Sequence, residues 1–241
     1  MKNNLYEGEK RLTNPNLTST KKYIILLGVS DVMRYLHEHN IIHKNLNPTN
    51  ILLDTNYYPR VTDIILPSFI QNFLSKMKST PIYLAPELLN GIENKFSPSS
   101  DVYSFGMLAY EIIAEIEPFS ELGEMKSNEL SQKIVSGYRP QFPEGFPQKM
   151  ASLISKCWSQ KVEDRPTFSE IFEKLTTDFS YFNEKVDENE IKKFLSMIKE
   201  EKQNKPESNF LSEMQFISGI DFLCGNKKDR SRIKAIHDLT K

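Results

Sequence analysis

The chain has 241 residues, 39% of them hydrophobic and 26% charged, with 15 Phe and 10 Tyr, which describes a folded protein and excludes disordered and collagenous classes. Thirty-one basic and 32 acidic residues leave a net charge of −1, so no global field draws the chain to nucleic acid or an anionic membrane. Two cysteines, Cys157 and Cys224, lack any paired spacing, which excludes a disulfide framework or a Cys-rich zinc site and reads as two reduced, buried thiols.

Residues 1–19 read as a polar lead-in with one short helical turn around Leu5 and Tyr6. The start MKNNLYEGEK lacks the apolar core of a signal peptide, and the run Tyr23 to Leu27 is too short to span a bilayer, so the expected location is intracellular and cytoplasmic. From Thr20 the picture changes. Apolar residues at Ile25, Val29, Val32, Met33 and Leu36 follow helical spacing and predict one amphipathic helix. Two short strands follow, Ile51 to Leu53 and Arg60 to Thr62, joined through Asp54-Thr55-Asn56 as a small hairpin. Residues 64–100 carry Pro67, Pro81, Pro86 and Pro98 in an irregular segment of the kind that often carries function. Ser100-Asp101 is then expected to cap the apolar helix VYSFGMLAYEIIAEI.

Helices are further predicted around Ser127 to Ser136, Gln148 to Ser159 with Leu153, Ile154 and Trp158 inward, and Thr167 to Thr177. A domain boundary is placed near residue 180, giving a lobe over 20–180 and a charged helical tail over 181–241. The tail holds an amphipathic helix at Ile191, Phe194, Leu195 and Ile198, then an apolar run from Phe210 to Leu223 read as folding back on the lobe. The basic cluster Lys227, Lys228, Arg230, Arg232 and Lys234 is read as a solvated face.

Five anchors occur in order: His43-Lys44-Asn45-Leu46 with Asn50; Val61-Thr62-Asp63; Ala85-Pro86-Glu87; Asp101-Val102-Tyr103-Ser104-Phe105-Gly106; and Cys157-Trp158 with Arg165-Pro166-Thr167-Phe168. Together they resemble the C-terminal lobe of protein kinases, over about residues 20–177, with a flavour of the tyrosine-kinase-like branch. The resemblance implies a mainly α lobe of an α+β family fold with a small β-hairpin. It places the proton-accepting base at Asn45 and a charge-neutralising lysine at Asn47, makes Asn50 and Asp63 magnesium-nucleotide ligands, and gives His43, Glu87, Asp101 and Arg165 structural duties, Glu87 pairing with Arg165.

Asn45 has no useful basicity, and loss of a general base costs about 10²- to 10⁴-fold in rate. Asn47 removes a cation, and Asp63-Ile64-Ile65 puts a β-branched residue where the family has glycine. Nine glycines include no G-x-G-x-x-G, so the N-terminal lobe is read as absent. The expectation is a catalytically inactive pseudokinase that acts as a protein-interaction or regulatory module with an unidentified protein partner. No firmly held cofactor is expected, Mg-ATP at low affinity being left open, and Asn50 and Asp63 have the alternative of serving only as loop hydrogen-bonders. Two other readings stay open: weak Ser/Thr-directed phosphotransfer, and a fragment of a longer kinase. Ser75, Ser79 and Thr80 are candidate acceptors for phosphorylation by other kinases, with Lys44 among the few cations positioned to answer the added charge, and Thr80 is otherwise expected to serve as a local hydrogen-bonder.

Overall fold

A computed structural model describes residues 3–4, 6–7, 10–11, 17–62, 64, 81–90 and 95–203. Asp63, Ser75, Ser79, Thr80, Cys224, the apolar run 210–223 and the basic cluster 227–234 lie outside the described residues.

The helix α1, Ser19–Glu38, organises the core. Its start is fixed by Thr18, whose Oγ1 accepts from Lys21 N at 3.3 Å. Tyr23 to Leu27 and Val29 are all at most 1% exposed, so α1 is apolar on nearly every side and must be enclosed. The antiparallel hairpin β4, Ile51–Leu53, and β5, Pro59–Val61, lies on it, with Ile51 opposite Val61 and Leu53 opposite Pro59. Thr62, expected inside the second strand, instead donates its N–H to Asn50 O at 2.9 Å and closes the hairpin onto the preceding loop.

The lead-in contributes strands where a helical turn was expected: β1, Asn3–Asn4, pairs antiparallel with β4, and β2, Tyr6–Glu7, pairs with β3, Lys10–Arg11. The sheet order β1-β4-β5 makes the expected hairpin part of a three-stranded sheet. Local preference gives way to the unpaired backbone groups that the β4 edge offers.

Two short helical elements, a 3₁₀ turn at Pro81–Tyr83 and α2 at Pro86–Leu89, lead to α3, Pro98–Ala114. The start of α3 differs from the Ser100-Asp101 cap expected. Ser97 and Ser100 form a reciprocal capping box and Pro98 takes the first helical position, where its missing N–H costs nothing. Asp101 is thereby left inside the first turn with its carboxylate unused by the cap.

Helices α4, Ser127–Val135, and α5, Gln148–Cys157, follow. A Cβ added at Gly106 of α3 would lie 3.0 Å from Cys157 Cβ, so glycine sets the close approach of α3 and α5. Burial pushes the Cys157 thiol up to about 12, which leaves it an inert packing group. Arg139 donates to Trp158 O, Ile134 O and Tyr138 O, tying the ends of α4 and α5 without a carboxylate.

Helix α6, Phe168–Thr177, has a capping box of Thr167 and Glu170 and packs along α1. The Tyr23 hydroxyl faces two acceptors at the end of α6, Leu175 O at 2.8 Å and Asp178 O at 2.7 Å. Lys149 and Ser180 hold the Asp178 carboxyl down to about 2. The chain then turns back across α1. Phe182 and Val186, and from α7, Glu188–Gln203, the residues Ile191, Phe194 and Ile198, join the same core. A Cβ on Gly28 would meet Phe194 Cζ at 3.0 Å and Pro59 Cγ at 2.5 Å, so this glycine makes the slot in which hairpin, α1 and α7 converge. Asp187 N donates to Thr20 Oγ1 at 2.8 Å, and Lys21 pairs with Glu190. Among the described residues no helix is long and apolar enough to cross a membrane.

Candidate functional site

The loop between α1 and β4 hangs on one carboxylate. Asp101, 1% exposed, accepts from His43 N at Oδ2 (2.8 Å) and from Lys44 N at Oδ1 (2.8 Å), and Oδ2 also lies 3.0 Å from His37 Nε2. A buried carboxylate with three donors is well compensated. Lys44 needs that support, because its φ of +70° is a left-handed conformation unfavourable outside glycine. Its ammonium is half-buried, and desolvation lowers its pKa while Asp101 opposes the shift.

His43 is fully buried, and its two ring nitrogens agree on one tautomer. Nε2 faces Thr62 O at 3.0 Å and must donate, while Nδ1 accepts from Asn45 N at 3.2 Å. The imidazole therefore acts as a strut between the loop and the end of the hairpin.

Asn45, Asn47, Thr49 and Asn50 form a closed amide network. Asn47 Oδ1 accepts from Thr49 N at 3.0 Å and Thr49 Oγ1 at 2.5 Å, capping the 3₁₀ turn Pro48–Asn50. Asn47 Nδ2 donates to Asn45 O at 3.0 Å and Asn45 Oδ1 at 2.8 Å. Asn50 Nδ2 donates to Asn45 O at 2.7 Å, and among the described residues Asn50 Oδ1 has Thr49 Oγ1 near it at 3.4 Å. The residue where a cation was expected has become a loop staple.

A second cluster joins α2 to the segment before α6. The Arg165 side chain is fully buried and grips Glu87 bidentately at 2.7 and 2.8 Å. It also donates to Ser99 O and Ser159 O, both at 3.0 Å, and lies over the Tyr103 ring at 5.3 Å.

The family model for the protein tyrosine and serine/threonine kinase domain matches residues 2–175. The chain belongs to the protein kinase family. Its relatives include receptor-interacting serine/threonine-protein kinase 1 of Homo sapiens, 34% identical over 68% of this chain and 27% of that protein. The dual specificity protein kinase shkC of Dictyostelium discoideum is 34% identical over 59% of this chain and 29% of that protein. A probable inactive serine/threonine-protein kinase of the same organism is 32% identical over 64% of this chain and 8% of that protein. The chain thus spans less than a third of the length of each of these curated relatives.

In this kinase-family lobe the structure gathers His43, Asn45, Asn47, Asn50 and Asp101 into one loop-and-helix assembly, and sets Glu87 and Arg165 apart in a second. Two members of the first assembly escaped the sequence reading. Thr49 fixes the amide of Asn47, which the Asn-Pro-Thr run signals as an N-cap with proline at the first turn position. His37 reaches Asp101 from the last turn of α1, and no local pattern announces it. Among the described residues no group of three His, Cys, Asp or Glu side chains is placed to hold a metal. Of the two expected magnesium ligands, Asn50 is buried with its Nδ2 donating to Asn45 O, and Asp63 lies outside the described residues.

Proposed function

We propose that this kinase-family domain is catalytically inactive and acts as a protein-interaction or regulatory module. One observation carries the reading: the base position holds an amide, Asn45, whose Oδ1 is already committed to Asn47 Nδ2 at 2.8 Å. Proton acceptance from a substrate hydroxyl is lost with the carboxylate, and the acceptor oxygen that remains is occupied from within the loop. The position of the phosphate-neutralising lysine is spent on the same contact, through Asn47. The surrounding scaffold of Asp101, His43, Glu87 and Arg165 holds the lobe together without needing turnover, which suits a surface presented to another protein.

A second reading, weak Ser/Thr-directed phosphotransfer with nucleotide-clamping parts supplied by a longer protein or another chain, draws on the retained Asn50, whose Nδ2 is held by Asn45 O. Titration of the chain with Mg-ATP, followed by thermal unfolding, separates the two. A bound nucleotide raises the unfolding free energy by RT ln(1 + [L]/Kd). The inactive module predicts no shift at millimolar Mg-ATP; a shift growing with the logarithm of concentration and lost in Asp63→Ala favours the second reading.

A further inference from the structure

The polarity of the Asn45 site follows from a single backbone group. The Thr49 N–H can only donate, so the Asn47 atom 3.0 Å from it is the oxygen. Asn47 must then turn Nδ2 toward Asn45, and the Asn45 atom it meets at 2.8 Å is also an oxygen. Asn45 is left with Nδ2 directed away from Asn47, and no acceptor among the described residues meets it. The main-chain groups of Asn45 are tied as well, N to His43 Nδ1 and O to Asn47 and Asn50, so the side-chain NH2 is what this residue has to offer a ligand.

Where a catalytic carboxylate would present an acceptor, this loop presents a donor. A serine hydroxyl satisfies a donor weakly, whereas hydrogen bonds to ionised oxygens are roughly twice as strong as neutral ones. Both oxygens of the buried Asp101, which underlies the loop, already accept hydrogen bonds from His43 N and Lys44 N rather than from the Asn45 NH2.

We infer that the Asn45 position binds an oxyanionic side chain of a protein partner, a phosphorylated serine or threonine or a carboxylate, in place of a hydroxyl to be phosphorylated. This rests on the non-catalytic reading above and names the ligand class for that site. The test uses the full chain labelled with ¹⁵N, the Asn45 side-chain NH2 signal being identified by its loss in Asn45→Asp. Three probes are titrated: N-acetyl-O-phosphoserine methylamide, N-acetylglutamate methylamide and N-acetylserine methylamide. The Asn45 NH2 signal is expected to move with the first two and not with the third, the phosphoserine and glutamate arms telling which oxyanion is preferred. Asn45→Asp keeps an oxygen for Asn47 while replacing the outward donor by an acceptor, so it weakens phosphoserine binding by at least about tenfold. Asn45→Ala repeats the loss without adding charge.

An unmoved NH2 signal, a stronger response to the serine probe, or equal binding by wild type and both variants would overturn the inference. Phosphotransfer by the wild-type chain would instead remove the reading on which it rests. A titration that fails in a chain without transfer removes only the oxyanion site.

Discussion

We expect Glu87→Ala to lower the free energy of unfolding by about 3–5 kcal/mol, the cost of leaving a buried charge without its partner. The Arg165 guanidinium is fully buried, and without Glu87 its remaining partners among the described residues would be the carbonyls of Ser99 and Ser159 and the face of Tyr103. None of these carries a compensating negative charge. Glu87→Gln keeps one acceptor and should cost less. The double variant Glu87→Ala/Arg165→Ala should be less destabilised than the sum of the two single changes, because neither partner is then stranded. Urea denaturation of the four proteins gives the coupling directly, and strictly additive effects would show that the pair does not act as a unit.

Phe194→Ala should cost a similar amount, about 3–5 kcal/mol, because it removes a buried aromatic from a site that cannot collapse. Phe194 is 3% exposed, its ring centroid lies 4.8 Å from that of Tyr58, and its Cζ reaches the space above Gly28. Gly28→Ala addresses the same slot from the other side by forcing Pro59 and Phe194 apart. Both changes strike the contact between α1, the hairpin and α7, and both should shift the same cooperative transition. If Phe194→Ala leaves the denaturation midpoint unchanged, α7 does not contribute to the stability of the lobe.

The helices were readable from periodicity because each buries a stripe wide enough to impose it: Ile25, Val29, Val32, Met33 and Leu36 on α1, and Leu153 and Ile154 on α5. Ends were less legible where several residues compete for one role. The run Ser97-Pro98-Ser99-Ser100-Asp101 contains three serines and an aspartate able to cap, and the choice of Ser97 depends on Pro98 taking the first turn and Ser100 closing the box. That choice matters to the site, since Asp101 can hold His43 N and Lys44 N only because it is not capping α3. The strands Asn3–Asn4 and Tyr6–Glu7 were illegible because pairing partners, distant in sequence for the first, decide their conformation. At the site, residue types marked the loop, but the direction of each amide depends on a Thr49 N–H whose position only the folded turn defines.

The most direct test of the central claim is phosphotransfer from radiolabelled ATP with magnesium, to the chain itself and to an added protein substrate, without any other subunit. The proposed inactivity, with an amide at Asn45 whose oxygen is held by Asn47, predicts no incorporation above a heat-denatured control. Incorporation at ordinary kinase turnover, on the order of 1–100 s⁻¹, and abolished by Asp63→Ala, would contradict it.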